Sequence, residues 1–139
     1  MKKLLIILLL PLSAFSQSRE SLIDSAVVIM HELLNEYRIE NRLDTLELSD
    51  DLTKKAQKHA EWMYHNSYMH SLTCKEEKLA ENIVNGHDWI LEWSPVKRWV
   101  EGDLIAWKES PGHNANLLEY RITKAGYGFY KGYSVQMFK

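Results

Sequence analysis

Apolar residues along this 139-residue chain change their spacing in a way that separates a leader, a set of helices and a terminal hairpin. Leu4 to Leu10 form an unbroken apolar run behind Lys2 and Lys3. From residue 19 to 41, Leu22, Ala26, Met30, Leu33 and Tyr37 recur at three- and four-residue spacing. Ile23, Val27 and Leu34 widen the stripe, which predicts a long amphipathic helix capped by Ser18 or Ser21. Asn41 to Asp44 leaves the helix, and Leu46 and Leu48 predict a short extended link. Ser49-Asp50-Asp51 opens a second helix, with a capping serine and two acids suited to the positive end of the helix dipole. Leu52, Ala56, His59, Ala60 and Met63 lie on one face of it, and it runs to His65 or Asn66. Asn66 to Glu81 reads mostly as loop, with Lys75 to Lys78 a solvated charge run. Leu79 to Val84 turns apolar again and Asn85-Gly86 stops it.

Ser94-Pro95 is a helix start, a capping serine followed by a proline whose missing N–H costs nothing there. Val96, Trp99, Val100, Leu104 and Trp107 continue the stripe. Gly102 weakens its middle by ~1 kcal/mol relative to alanine, enough to divide it into two short helices. Ser110-Pro111-Gly112 forces a turn, and His113 to Leu118 forms one or two further helical turns. The period then changes to two. Ala125 to Tyr130 and Tyr133 to Phe138 alternate around Lys131-Gly132, which predicts an antiparallel hairpin. Helices first and strands last imply an α+β fold in which the helices cover the sheet.

Composition narrows the class. With 45% apolar and 26% charged residues the chain is neither disordered nor low in complexity, and its length suits one domain. Residues 1–16 read as a secretory signal peptide, ending in Ala14-Phe15-Ser16, followed by a single domain over residues 17–139. The apolar run is too short to span a bilayer, and no other segment qualifies as a transmembrane anchor. Removing the leader takes away Lys2 and Lys3 and no acid, leaving 15 basic and 19 acidic residues, a net charge of about −4. A nucleic-acid partner is not expected, because no basic stripe survives to neutralise phosphates. Cys74 is the only cysteine, so no internal disulfide forms and the core must be self-sufficient. As a nucleophile Cys74 lacks a base placed beside it by local sequence, so a small semi-buried residue is the preferred reading.

Four pieces carry candidate chemistry: Asn66-x-x-x-His70, Ala80-Glu81-Asn82-Ile83, Trp107-x-x-Ser110-Pro111-Gly112-His113, and Gly126-x-Gly128 before the last strand. In this order and spacing the chain resembles the CAP superfamily: cysteine-rich secretory, antigen 5 and pathogenesis-related 1 proteins, also called the SCP domain. The resemblance runs from Leu34-Asn35-Glu36-Tyr37-Arg38 to Phe138 and is nearest to the short, disulfide-free bacterial branch. It implies an α-β-α sandwich around a small antiparallel sheet of three or four strands. The hairpin accounts for two of them, leaving a third to the stretch near Leu46 or near Ile83. It also implies a cavity in which His70, Glu81 and His113 converge, with a second acid. Glu109 is nearest the motif, while Glu101 and Asp103 compete with it. Ala80 stands where the family usually has glycine.

Two neutral imidazoles, His70 and His113, suit Zn2+ or another divalent cation, weakly bound, at ~2.0–2.1 Å per nitrogen. His59 and His65 are a poor rival pair, since six residues place them about 240° apart on a helix. His59 is read as a packed, hydrogen-bonded core histidine. Tyr127, Phe129, Trp62, Trp93 and Trp99 are read as core or cleft wall. The expected function is a secreted or periplasmic, monomeric module binding a lipid or other small molecule. One alternative is a zinc-dependent hydrolase in which Glu81 activates a metal-bound water; another is a structural partner-binding domain with an inert cleft. Binding is preferred to catalysis, because there is no Ser-His-Asp arrangement, no His-Glu-x-x-His spacing and no assured third metal ligand.

Overall fold

A computed structural model describes residues 12–86 and 95–139 of the chain. Trp93, the expected cap Ser94 and most of the leader lie outside the described residues, and Pro95, expected as the first helical residue, takes the cap position of α4. The first helix, α1, spans Leu12–Glu40. It begins before the expected residue 19, because no glycine or proline interrupts positions 12–40, and Ser18 and Ser21 therefore sit within it rather than capping it. Arg42 ends it in the left-handed region (φ 61°), and the Leu43 N–H closes back on the Arg38 carbonyl at 2.9 Å. Next come β1 (Glu47–Leu48), α2 (Asp50–His65), α3 (Leu72–Glu77) and β2 (Ala80–Asn85). The chain finishes with α4 (Val96–Glu109), α5 (Pro111–Leu117), β3 (Lys124–Tyr130) and β4 (Tyr133–Phe138).

Several local expectations hold. Ser49 caps α2 by accepting the Leu52 N–H, and Leu52, Ala56, His59, Ala60 and Met63 are its buried face. The hairpin turns through Lys131 (φ 44°) and Gly132 (φ 86°), two left-handed residues that match the twist of the flanking strands. Ser110 ends α4 and begins α5, with Pro111 in the first turn. Three expectations change. The supposed loop after Asn66 contains α3, too short for its period to register in sequence. Both candidate stretches for extra strands are used, one as β1 and one as β2. And α4 runs unbroken through Gly102, because Val100, Leu104 and Trp107 anchor both halves on one buried face.

The sheet order is β1-β3-β4-β2. β3 pairs antiparallel with β4 and β4 with β2, while the short edge pair β1–β3 is parallel. Each sheet face has its own core. On one side Ile83, Val135 and Met137 meet Leu52, Ala56, Ala60 and Met63 of α2 and Cys74 of α3. On the other, Ala125, Tyr127, Phe129 and Phe138 meet Met30 and Leu34 of α1, Trp99, Leu104 and Trp107 of α4, and Leu117 of α5. This is the α-β-α sandwich. No described helix is long and apolar enough to cross a membrane.

Gly126 and Gly128 face α2, where an added Cβ at either position would overlap backbone atoms of Leu52 and Thr53 or of Ala56 and Gln57. Gly128→Ala is therefore expected to cost about 3 kcal/mol or more, since backbone rather than a flexible side chain must move. Gly102→Ala meets nothing within 4 Å and should stabilise by ~0.5–1 kcal/mol through helix propensity. Urea denaturation of the two variants checks the opposite signs.

Candidate functional site

Alternation along β2 distributes the candidate residues between the two layers. Glu81 and Ile83 face α2 and α3, while Asn82 faces α5. Glu81 is 6% exposed. Its Oε2 accepts hydrogen bonds from the Ser71 backbone N–H at 2.9 Å and from His70 Nδ1–H at 2.8 Å. Its Oε1 lies 3.5 Å from the Cys74 thiol and 3.7 Å from His59 Nε2. A buried carboxylate is tolerated only when donors replace its lost water, and this one has gathered them from α3 and the loop that precedes it. The same contact with Ser71 pins the start of α3.

A carboxylate only accepts, so the His70 proton sits on Nδ1 and its Nε2 is turned outward. The His70 side chain is 62% exposed, in contrast to its partner. His59 is the packed histidine the pattern suggested: it is buried, its Nε2 donates to the Met69 carbonyl at 2.9 Å, and its ring stacks on Trp62. Sequence reasoning missed that it also stands beside Glu81. The period-3.6 face of α2 marks it as buried, but nothing local points to a strand so far along the chain.

His113 arrives from the opposite layer. Its carbonyl accepts the Asn82 side-chain N–H at 3.2 Å. Asn116, one turn further along α5, donates to Asn82 Oδ1 at 2.9 Å and to the Glu81 carbonyl at 3.3 Å. Asn82 in turn reaches Gln136 on β4 at 3.1 Å. Asn116 was missed too, although its three-residue spacing from His113 places both on one helical face. Burial, and then the charge on His70, hold the His113 imidazole below its usual 6.5. The two imidazoles thus approach around the edge strand of the sheet. The edge itself is capped: Tyr68 donates to the Ile83 carbonyl at 3.0 Å and Asn116 to that of Glu81.

None of the three competing acids contacts this group among the described residues. Glu109 is exposed at the end of α4. Glu101 pairs with Lys97. Asp103 accepts from Ser134 at 2.5 Å, and burial pushes its carboxyl up to about 6. Ala80 begins β2 without a left-handed backbone, so the position demands no glycine here. Cys74 is buried, and desolvation, followed by the charge of Glu81, raises its thiol to about 12, which suppresses the thiolate a nucleophile requires. Among the described residues no group of three or more His, Cys, Asp or Glu is placed to hold a metal ion. His70 and His59 line a cavity of about 500 Å³, walled also by Ser71 and by Trp62, Met69 and Leu72.

A model of the cysteine-rich secretory protein family (CAP) matches residues 31–138. Three solved structures share the fold. One is an extracellular protein containing an SCP domain from Bacillus anthracis, with a TM-score of 0.65 and 22% identity over 84% of this chain. Another is a cysteine-rich secretory protein from Staphylococcus aureus, with a TM-score of 0.65 and 20% identity over 84%. This chain spans 40% and 38% of their lengths respectively. The third is an outer surface protein from Borrelia burgdorferi, with a TM-score of 0.62, 23% identity, and coverage of 79% of this chain and 88% of that one. No curated protein matches significantly.

Glu81→Ala leaves the Ser71 N–H and the His70 proton without their acceptor. It should cost about 2–4 kcal/mol in urea denaturation. His113 is expected to titrate below 6.5 by NMR, and His70→Ala to bring it only part of the way back, since burial is the larger cause. The lowered value favours the neutral ring in the folded state. Its contribution to stability is therefore present above pH 6.5 and lost as the pH falls through the folded value.

Proposed function

We propose, for a chain that belongs to the cysteine-rich secretory protein family, that it is a ligand-binding module acting outside the cytoplasm. The observation that carries this reading is the pairing of an oriented polar group with an apolar concavity. Buried Glu81 holds exposed His70 in one orientation, on the wall of a cavity of about 500 Å³ that also offers Trp62, Met69 and Leu72. Small-molecule sites have this character: mostly apolar walls and a few convergent polar groups. An extracellular and an outer-surface protein among the similar folds, together with the leader-like run at residues 1–16, support the location.

A divalent cation such as Zn2+ would be held by His70 Nε2 and the His113 ring, with the Glu81 carboxylate supporting His70 from behind. Such an ion would supply Lewis acidity toward an oxygen of a bound ligand. Two imidazoles without a third protein donor suit a loosely held, exchangeable ion and not a structural one. The hydrolase reading is less well supported. Glu81 is committed to Ser71, His70 and Cys74, so as it stands it is not free to take a proton from a water.

Zinc titration by calorimetry tests the metal-binding part. Glu81→Gln should weaken binding by ~10–100-fold, as loss of a carboxylate behind a metal-binding histidine does, and the His70→Ala, His113→Ala double variant should remove it. An unchanged zinc isotherm in the double variant, with a native circular-dichroism spectrum, would place any metal elsewhere. Mass spectrometry of organic extracts from the purified protein tests the cavity. A small molecule that is present in the wild type and lost from Trp62→Ala supports it, and a ligand retained by that variant sinks it.

A further inference from the structure

Away from the cleft, a second histidine network sits where α1 meets β3 and the stretch before β1. His31 is half-buried on α1, its ring 5.8 Å from that of Tyr127. Its Nδ1 lies 3.1 Å from the Tyr127 hydroxyl, and its Nε2 lies 3.2 Å from the side-chain nitrogen of Asn35, one turn along the helix. Asn35 is clamped to the backbone of Leu46 at two points. Its Oδ1 accepts the Leu46 N–H at 2.8 Å, and its Nδ2 donates to the Leu46 carbonyl at 3.1 Å. This double bond to the backbone fixes which end of the amide is oxygen and which is nitrogen, so a second amide N–H is aimed at His31.

An amide nitrogen only donates. His31 Nε2 must therefore accept, and the ring is neutral with its proton on Nδ1, where it donates to the Tyr127 oxygen. Burial pushes the Tyr127 hydroxyl well above its usual range, so it does not ionise. A second proton has no place in this arrangement. On Nε2 it would point at the Asn35 N–H, and turning the amide over would break both bonds to Leu46.

The surrounding charges leave that conclusion intact. Burial is the larger influence on His31 and holds its imidazole below 6.5, against Glu32 on the same helix, which favours the protonated ring. From β3 comes Tyr127, on whose hydroxyl Arg38 acts. Glu47 of β1 pairs with Lys124 of β3. On α4, Lys108 lies over the Tyr37 ring, Glu101 pairs with Lys97, and Asp103 accepts from Ser134.

We propose that His31 is a pH-sensitive latch: neutral, it fastens α1 to Tyr127 of β3 and to the Asn35–Leu46 clamp, and protonation in mildly acidic surroundings releases it. The latch stands apart from the binding reading and would operate whatever the cleft holds. A lowered folded value means that its contribution to stability is present above pH 6.5 and is lost as the pH falls through that folded value. His113 contributes with the same sign, so the test must separate the two.

Nitrogen NMR of the wild type at pH ~7.5 reads the tautomer, which should be Nδ1–H with a bare Nε2. His31→Gln supplies one acceptor and one donor but does not titrate, and it retains His113. Urea denaturation of the wild type and this variant at pH ~7.5 and ~5 therefore cancels the His113 contribution. Over that interval the wild-type folding constant should fall by ~5–10-fold relative to the variant, the scale of one net hydrogen bond. Asn35→Asp puts an acceptor where Nε2 meets a donor, and His31 should then titrate above 6.5. An Nε2–H tautomer in the wild type overturns the proposal. So do parallel pH profiles of the wild type and His31→Gln, or a His31 that still titrates below 6.5 in Asn35→Asp. The tautomer is read on the unaltered protein, so a variant that fails to fold does not shield the latch from refutation.

Discussion

The helix α2 lies with its backbone directly on β3, and the rest of the molecule is arranged around that contact. Gly126 and Gly128 are two apart on the strand, so they share a face, and neither has a Cβ to hold the helix away. Small Ala56 answers them from the helix side. Gln57 completes the join. Its amide donates to the Phe129 carbonyl at 3.1 Å and accepts the Phe129 N–H at 3.0 Å, taking the place of the short β1, which pairs only with Lys124 and Ala125. With α2 held at this height, His59 comes to stand 3.7 Å from Glu81 of β2, with the Trp62 ring stacked on it.

The second constraint is the burial of Glu81. A carboxylate removed from water must be surrounded by donors, and the surrounding chain is bent to provide them: the Ser71 N–H, His70 and the Cys74 thiol. The chain after α2 therefore folds back as a short helix and does not wander as a loop. Across the sheet, Asn82, Asn116 and Gln136 form an amide chain that seats α5. Buried Arg38 finishes the job by donating to the carbonyls of Asp44, Leu117 and Glu119, tying α1 to the exit of α5. His70 and His113 are each held from behind: the Glu81 carboxylate orients the His70 ring, and the Asn82 amide donates to the His113 carbonyl.

Much of this could be read from residue order. The buried face of α2, the Lys131-Gly132 hairpin and the Ser110-Pro111 junction all follow from local rules of spacing, capping and turn conformation, which act over a few residues. His70, Glu81 and His113 emerged only because several weak pieces occurred in a known order. Their contacts cross intervals of 11 residues for His70–Glu81 and 31 for Asn82–His113, which no periodicity encodes. Elements of two or six residues, such as β1 and α3, escape the same rules because they complete less than two turns or one pleat.

What the sequence by itself determined was therefore the set of elements with a strong period, the absence of a disulfide, and the chemistry available at each position. Only the tertiary structure decided which of those residues stand together. It turned Glu109 out to solvent, tied Asp103 to Ser134, and placed His59 beside Glu81. The opening turn Ser110-Pro111-Gly112-His113 shows the division well. Its backbone is legible because proline and a preceding serine restrict their own dihedral angles. Its place beside the other candidate residues depends on an edge strand folded from residues 80–85, and proximity of that kind is set by packing, which is a property of the whole chain.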